Sequence, residues 1–145
     1  MFKIAFPILA ALSFLMLACK DSAKKNMLPE LAACDSAAVM YYHKPGNPRF
    51  FNMTKLFDKA SLSLIAADLN GNIITPKDTC ATRGKIYYYG KGDAVYIAYF
   101  TRAKECMTLS FIKTGNKYFV SMSEDVKKLL DGLQEKAVEP IAAPN

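Results

Sequence analysis

The chain has 145 residues, of which 52% are hydrophobic and 12% aromatic, and its formal charge is +6. That length fits one domain, and the apolar content excludes an intrinsically disordered chain. The basic excess is modest, and no lysine-rich stripe interleaved with aromatics recurs at regular spacing, so the sequence predicts no nucleic-acid partner.

Met1–Ala18 reads MFKIAFPILAALSFLMLA, with Lys3 as a short basic start and Ile4–Leu17 as an apolar run. The run is too short for an ordinary transmembrane helix and contains Pro7. Cys19 follows at once, and the composition then changes abruptly to Lys20-Asp21-Ser22. This pattern resembles the signal peptide of bacterial lipoproteins, which signal peptidase II cuts just before a lipidated cysteine. The lipobox would be Met16-Leu17-Ala18-Cys19, in which Ala18 and Cys19 match the family pattern closely and Met16 and Leu17 loosely. Cys19-Lys20-Asp21 is also similar to the surface-export signal of Bacteroidetes lipoproteins, with Ser22 where that signal carries a second acid. The resemblance covers roughly the first 22 residues. It implies that residues 1–18 are removed and that Cys19 is acylated. It further implies a lipid-anchored protein at the outer membrane or cell surface of a Gram-negative bacterium. Without residues 1–18, which hold one lysine and no acid, 127 residues and a charge of about +5 remain.

Residues 19–30 read as a tether. Lys20–Glu30, KDSAKKNMLPE, is polar and charged, and a coil of that length has an r.m.s. reach of roughly 20 Å. Lys20, Lys24 and Lys25 would lie where anionic head groups are within reach. The domain itself is expected over residues 31–134. Ala37–Tyr42 and Phe50–Thr54 flank a proline- and glycine-bearing segment, residues 43–49, and predict an N-terminal hairpin. Leu62, Ile65, Ala66 and Leu69 recur at helical spacing and predict a short helix over Ser61–Asn70, capped by Ser61. Ile73-Ile74 is a possible edge segment.

The longest patterned stretch is Gly84–Met122. It predicts four strands, Lys85–Tyr89, Val95–Thr101, Met107–Ile112 and Lys117–Met122, rich in aromatic and β-branched residues. Polar, glycine-bearing turns separate them. Met107, Leu109 and Phe111 alternate with Thr108 and Ser110, so one face of that strand is apolar. VYIAYF is apolar on both faces and predicts a central strand covered on both sides. A four-residue turn after Tyr89 would set Ile86 and Tyr88 beside Val95, Ile97 and Tyr99. It would gather Tyr87, Tyr89, Tyr96 and Phe100 on the opposite face. Val126, Leu129, Leu130 and Leu133 then predict a second helix capped by Ser123. Residues 135–145, with Pro140 and Pro144, read as a flexible tail. The expected class is α+β: a mainly antiparallel sheet with a four-strand meander, the N-terminal hairpin and two short helices.

Chemistry has little to work with. His43 is the one histidine and sits at the tip of the predicted loop, without an acid nearby in sequence. Asp58, Asp68, Asp78 and Asp93 fall in separate turns and caps, where acids do local backbone work. Met27, Met40, Met53, Met107 and Met122 with His43 would offer soft ligands to Cu(I), but their spacing is irregular and methionine is a common core filler. The sequence therefore predicts no enzyme, no metal and no cofactor. Tyrosine combines an apolar body with a polar tip and suits interfaces. Tyr87, Tyr89 and Tyr96 are the candidate binding residues, provided that their face is not covered by the hairpin or a helix.

Setting Cys19 aside leaves Cys34, Cys80 and Cys106. An oxidising compartment favours pairing, and an odd number leaves one thiol over. Cys80 and Cys106 open the first and third meander strands at the same end of the sheet. Strand starts two spacings apart lie roughly 9–10 Å from each other, beyond the roughly 7 Å limit for a disulfide. The loop before Gly84 can curl across the intervening strand, so Cys80–Cys106 is the expected bond, with Cys34–Cys80 next. It would contribute about 3 kcal/mol in the chain-entropy model. The functional expectation is a small membrane-anchored envelope lipoprotein acting as a binding or structural module. Its partners would be membrane lipid through the acylated cysteine and an envelope protein or glycan. An inhibitor or accessory subunit of an envelope enzyme is the alternative, and a hydrolase with an unrecognised site the second alternative.

Overall fold

A computed structural model describes residues 24–77, 79–103 and 105–141. The expected signal peptide, Cys19, the first part of the expected tether and residues 142–145 lie outside them, as do Asp78 and Lys104. The described chain is an α+β fold built on one antiparallel sheet. Its elements are β1 Ser36–Lys44, β2 Asn47–Leu56, α1 Lys59–Leu69, β3 Ile73–Ile74, β4 Gly84–Tyr89, β5 Val95–Ala103, β6 Cys106–Lys113, β7 Asn116–Ser121 and α2 Glu124–Gln134. A 3-10 turn, Pro29–Ala33, precedes β1. The strand order is β2-β1-β4-β5-β6-β7-β3, so the expected meander forms its middle.

Period two decides which side chains are buried. On one face Val39, Ile86, Ala98, Phe111 and Tyr118 follow one another across the strands. A neighbouring row holds Tyr41, Gly84, Phe100, Leu109 and Val120. The helices cover this face with Leu62, Ile65 and Leu69 from α1 and Val126, Leu130 and Leu133 from α2, which together form the core. Two tyrosines bolt the layers together. The Tyr41 hydroxyl donates to the Leu130 carbonyl at 2.7 Å, and the Tyr88 hydroxyl to the Leu62 carbonyl at 3.1 Å. Gly84 is required where it stands. A Cβ there would meet the Met40 carbonyl oxygen at 2.1 Å and the Phe100 ring at 2.3 Å. The missing side chain lets the Tyr41 and Phe100 rings meet edge to face across β4, centroids 5.5 Å apart.

The helices begin and end on local chemistry. Asp58 caps α1: its Oδ2 accepts from the Ser61 amide at 2.9 Å and the Ser61 hydroxyl at 2.6 Å, so Ser61 is a partner of the cap and not the cap itself. Ser123 caps α2 through the Val126 amide at 3.3 Å, as its position predicts. Asp68 reaches across to accept from the Ser123 amide at 2.7 Å, tying the end of α1 to the start of α2.

Four expectations need correcting. The β1–β2 connection is a two-residue turn, Pro45-Gly46, with Gly46 at φ 74°, and His43 lies on β1. Pro48 is accommodated because it falls on an edge strand, in the stretch where the β1–β2 register shifts. Of the expected tether, residues 19–30, the part Lys24–Glu30 is docked on the domain. The Ile73 amide donates to the Lys24 carbonyl at 3.0 Å, and the Asn70 side chain accepts from the Leu28 amide at 2.7 Å and donates to its carbonyl at 2.9 Å. The tail is held at Val138, whose amide and carbonyl pair with Met53 on the β2 edge. Finally, β5 is central but only one of its faces is covered: Ile97 on the other is 40% exposed.

Cys80 and Cys106 pair, with Cα atoms 5.7 Å apart. The segment before β4 crosses the end of β5 to reach this point. Its Arg83 amide donates to the Phe100 carbonyl at 2.8 Å, and the Thr101 hydroxyl to the Ala81 carbonyl at 3.4 Å. Curling across the intervening strand is what brings the two cysteines within bonding range. Cys34 is unpaired and buried.

Candidate functional site

The sheet face opposite the helices is the candidate site. The β4–β5 turn determines which residues it shows. Tyr89 pairs with Val95, so the turn is Gly90–Ala94, five residues long, with Gly92 and Asp93 at φ 64° and 59°. The Gly90 amide donates to the Ala94 carbonyl at 2.8 Å and closes it. One residue more than a four-residue turn reverses the parity of β5 against β4. Tyr87 and Tyr89 therefore share the open face with Val95, Ile97 and Tyr99, whereas Tyr96 aligns with Tyr88 and packs against the core. The expected grouping of Tyr87, Tyr89 and Tyr96 is corrected on that point: Tyr96 is on the helix side.

Tyr42 and Tyr99 take the place of Tyr96. The Tyr42 hydroxyl is pushed up to about 12, by burial first and then by the neighbouring Tyr87 and Tyr99 hydroxyls. Two cations frame them. The Lys85 ammonium lies 5.6 Å from the Tyr99 ring centroid, and Lys117 stands 5.3 Å from Tyr99 and 5.2 Å from Phe119. Among the described residues no Asp or Glu lies on any strand, so this face has lysines and no acid to neutralise them. Apolar groups continue the patch, with Val95 47%, Tyr89 41% and Ile112 57% exposed. The clustering of Tyr42 and Tyr99 has one signal in the sequence, the parity set by a five-residue turn.

Beside this patch the sheet divides. The β5–β6 ladder begins at Ala98–Phe111, although β5 starts at Val95 and β6 runs on to Lys113. Val95–Ile97 pair only with β4, and Ile112 and Lys113 only with β7. The two hairpins diverge there, and a cleft of about 320 Å³ opens between them, floored by Leu28, Leu31, Leu69 and Tyr88.

The remaining candidates are dispersed. His43 is exposed, and its Nε2 lies 2.9 Å from Asn52 Oδ1. Met107 and Met122 belong to the helix side, while Met40 and Met53 are partners across β1–β2 on the open face. Among the described residues no three of His, Cys, Asp and Glu converge on one point. Asp58 and Asp68 serve helix ends, and Asp93 occupies the β4–β5 turn. Among the described residues no helix is long and apolar enough to cross a membrane. No family model, no curated protein and no solved structure matches this chain.

Proposed function

We propose that the protein is a small envelope lipoprotein, held by an acylated Cys19 at the outer membrane or cell surface of a Gram-negative bacterium, and that its open sheet face binds an envelope protein or glycan. One observation carries the binding half of this reading. On one face of the seven-stranded sheet tyrosines, aliphatic side chains and lysines lie without a helix over them, with Tyr89, Val95, Ile97 and Ile112 exposed, and no acid lies on its strands. Exposed contiguous apolar surface of this kind marks interaction sites, and lysine over aromatic rings adds preference for anionic groups. The anchor half rests on the resemblance of Met16–Cys19 to a lipobox. Because Lys24 is already docked, only four residues, 20–23, would lie between the anchor at Cys19 and the domain; the five residue steps from Cys19 to Lys24 reach at most about 18 Å. The open face would thus stay close to the membrane surface.

Two experiments test the two halves. Cys19→Ala is expected to abolish acylation, read as loss of an incorporated fatty-acid label; a variant that keeps the label, or a wild type that takes none, rules out the anchor. For the face, native-membrane pull-downs with the wild type and with Tyr87→Ser/Tyr99→Ser are compared. The double variant is expected to lose the specific partner while keeping its thermal unfolding midpoint. Equal recovery by both proteins rules out this face.

A further inference from the structure

We propose that the cleft between the β4–β5 and β6–β7 hairpins binds one aliphatic chain carrying an anionic head group, a site separate from the anchor and bordering the tyrosine cluster at Tyr99. Its volume, about 320 Å³, lies at the lower end of the roughly 300–1,000 Å³ of small-molecule sites. That is too little for a folded partner or a sugar chain, and suits a short run of methylenes. Its floor is apolar: Leu28, Leu31, Leu69 and Phe111 are all buried. Its lips, Ile97 and Ile112, are 40% and 57% exposed although they border a cavity that could shelter them. Apolar lips facing water above an apolar floor suit an occupant that is itself apolar along its length.

Charge sets the direction of that occupant. On the helix side of the cleft Glu30 and Lys113 form an ion pair at 3.9 Å, and Lys113 also donates to the Met27 carbonyl, so this end offers no net charge. On the open side Lys117 is the register partner of Ile112, and its ammonium stands 5.3 Å from the ring of Tyr99, a residue that lines the cleft. Among the described residues Lys117 has no acidic partner. A carboxylate or phosphate head would sit at Lys117, with its chain passing between Ile97 and Ile112 to the leucine floor.

The test is an amide-resolved NMR titration of the full chain carrying Cys19→Ala, so that neither acyl group nor detergent competes. The probes are decanoate, decyl phosphate and decyltrimethylammonium, each below its micelle concentration. Saturable shifts centred on Ile97, Ala98 and Ile112 are expected with one or both anions, and at least tenfold weaker binding with the cation. Whichever anion binds more tightly identifies the head group. Ile97→Asp/Ile112→Asp alters exposed positions only and is expected to weaken binding at least tenfold with the fold's spectrum retained. Lys117→Gln is expected to cut the anion preference to below threefold. Absence of saturable shifts, equal binding of the cation by the wild type, or unchanged affinity in the isoleucine double variant would overturn the proposal.

Discussion

Tyr87 and Tyr88 are neighbours on β4 and stand on opposite faces of it. Tyr88 is fully buried, its hydroxyl satisfied by a carbonyl of α1. Tyr87 faces the side that no helix covers, beside the hydroxyls of Tyr42 and Tyr99. The same residue type thus does two jobs, and the difference lies in what faces it. Both helices pack on one side of the sheet, and the apolar side chains of the other side remain available to a partner. The covered face should be intolerant of change, and the open face should tolerate change without loss of fold.

The strongest way to break the comparison is Gly84→Ala. A methyl at this position collides with the backbone of β1 and the ring of Phe100, neither of which is a flexible side-chain end. A loss of about 3 kcal/mol or more is expected in chemical unfolding; a loss below about 1 kcal/mol would mean that the Tyr41–Phe100 layer is looser than described. Next comes Tyr88→Phe, which removes the buried hydrogen bond from the Tyr88 hydroxyl to the Leu62 carbonyl and should cost about 1 kcal/mol.

A pH titration sharpens the comparison on the helix side. Desolvation pushes the Asp131 carboxyl up, but the Lys127 ammonium and the Arg102 guanidinium outweigh it and hold it below its ordinary value of 3.8. A carboxylate depressed in the folded state contributes stability that is fully present above the unfolded value and lost as pH falls through the folded one. Stability should therefore decline as pH drops below about 4, and Asp131→Asn should be less stable at neutral pH with a flatter acid limb. A parallel acid limb in the variant would place the sensitivity elsewhere. The smallest effect is expected from Tyr89→Ser on the open face, within about 0.5 kcal/mol of wild type; a larger loss would show that this face contributes to the fold.

How much was legible in the sequence follows the same division. The four meander strands were readable because period two and glycine-bearing turns act within a few residues, and each boundary falls within two residues of its expected place. The Cys80–Cys106 bond was readable because a meander starts its first and third strands at the same end of the sheet, where the segment before β4 can cross the end of β5. The face shared by the tyrosines was not, because a single residue in the Gly90–Ala94 turn inverts all of β5. Nor was the docking of Lys24–Glu30. Leu28 and Leu31 are too few to make a periodic signal, and the grip of Asn70 on Leu28 joins positions 42 residues apart. The α1 cap was assigned to Ser61, with Asp58 read only as one of the acids of turns and caps, because Ser61 stood nearer the first apolar residue, while the geometry needs an acceptor three residues upstream of the Ser61 amide.

The docked segment has a consequence for oxidative folding. It lies over Cys34, whose sulfur is 3.8 Å from the Glu30 carbonyl and whose thiol is pushed above its ordinary value by burial. Disulfide exchange requires a thiolate that a partner can reach. In the folded chain Cys34 is thereby withdrawn from the exchange, and the segment that withdraws it is the docked stretch from Lys24 to Ala33. The odd thiol is thus guarded by packing, and its protection is only as stable as the seat of Leu28 and Leu31.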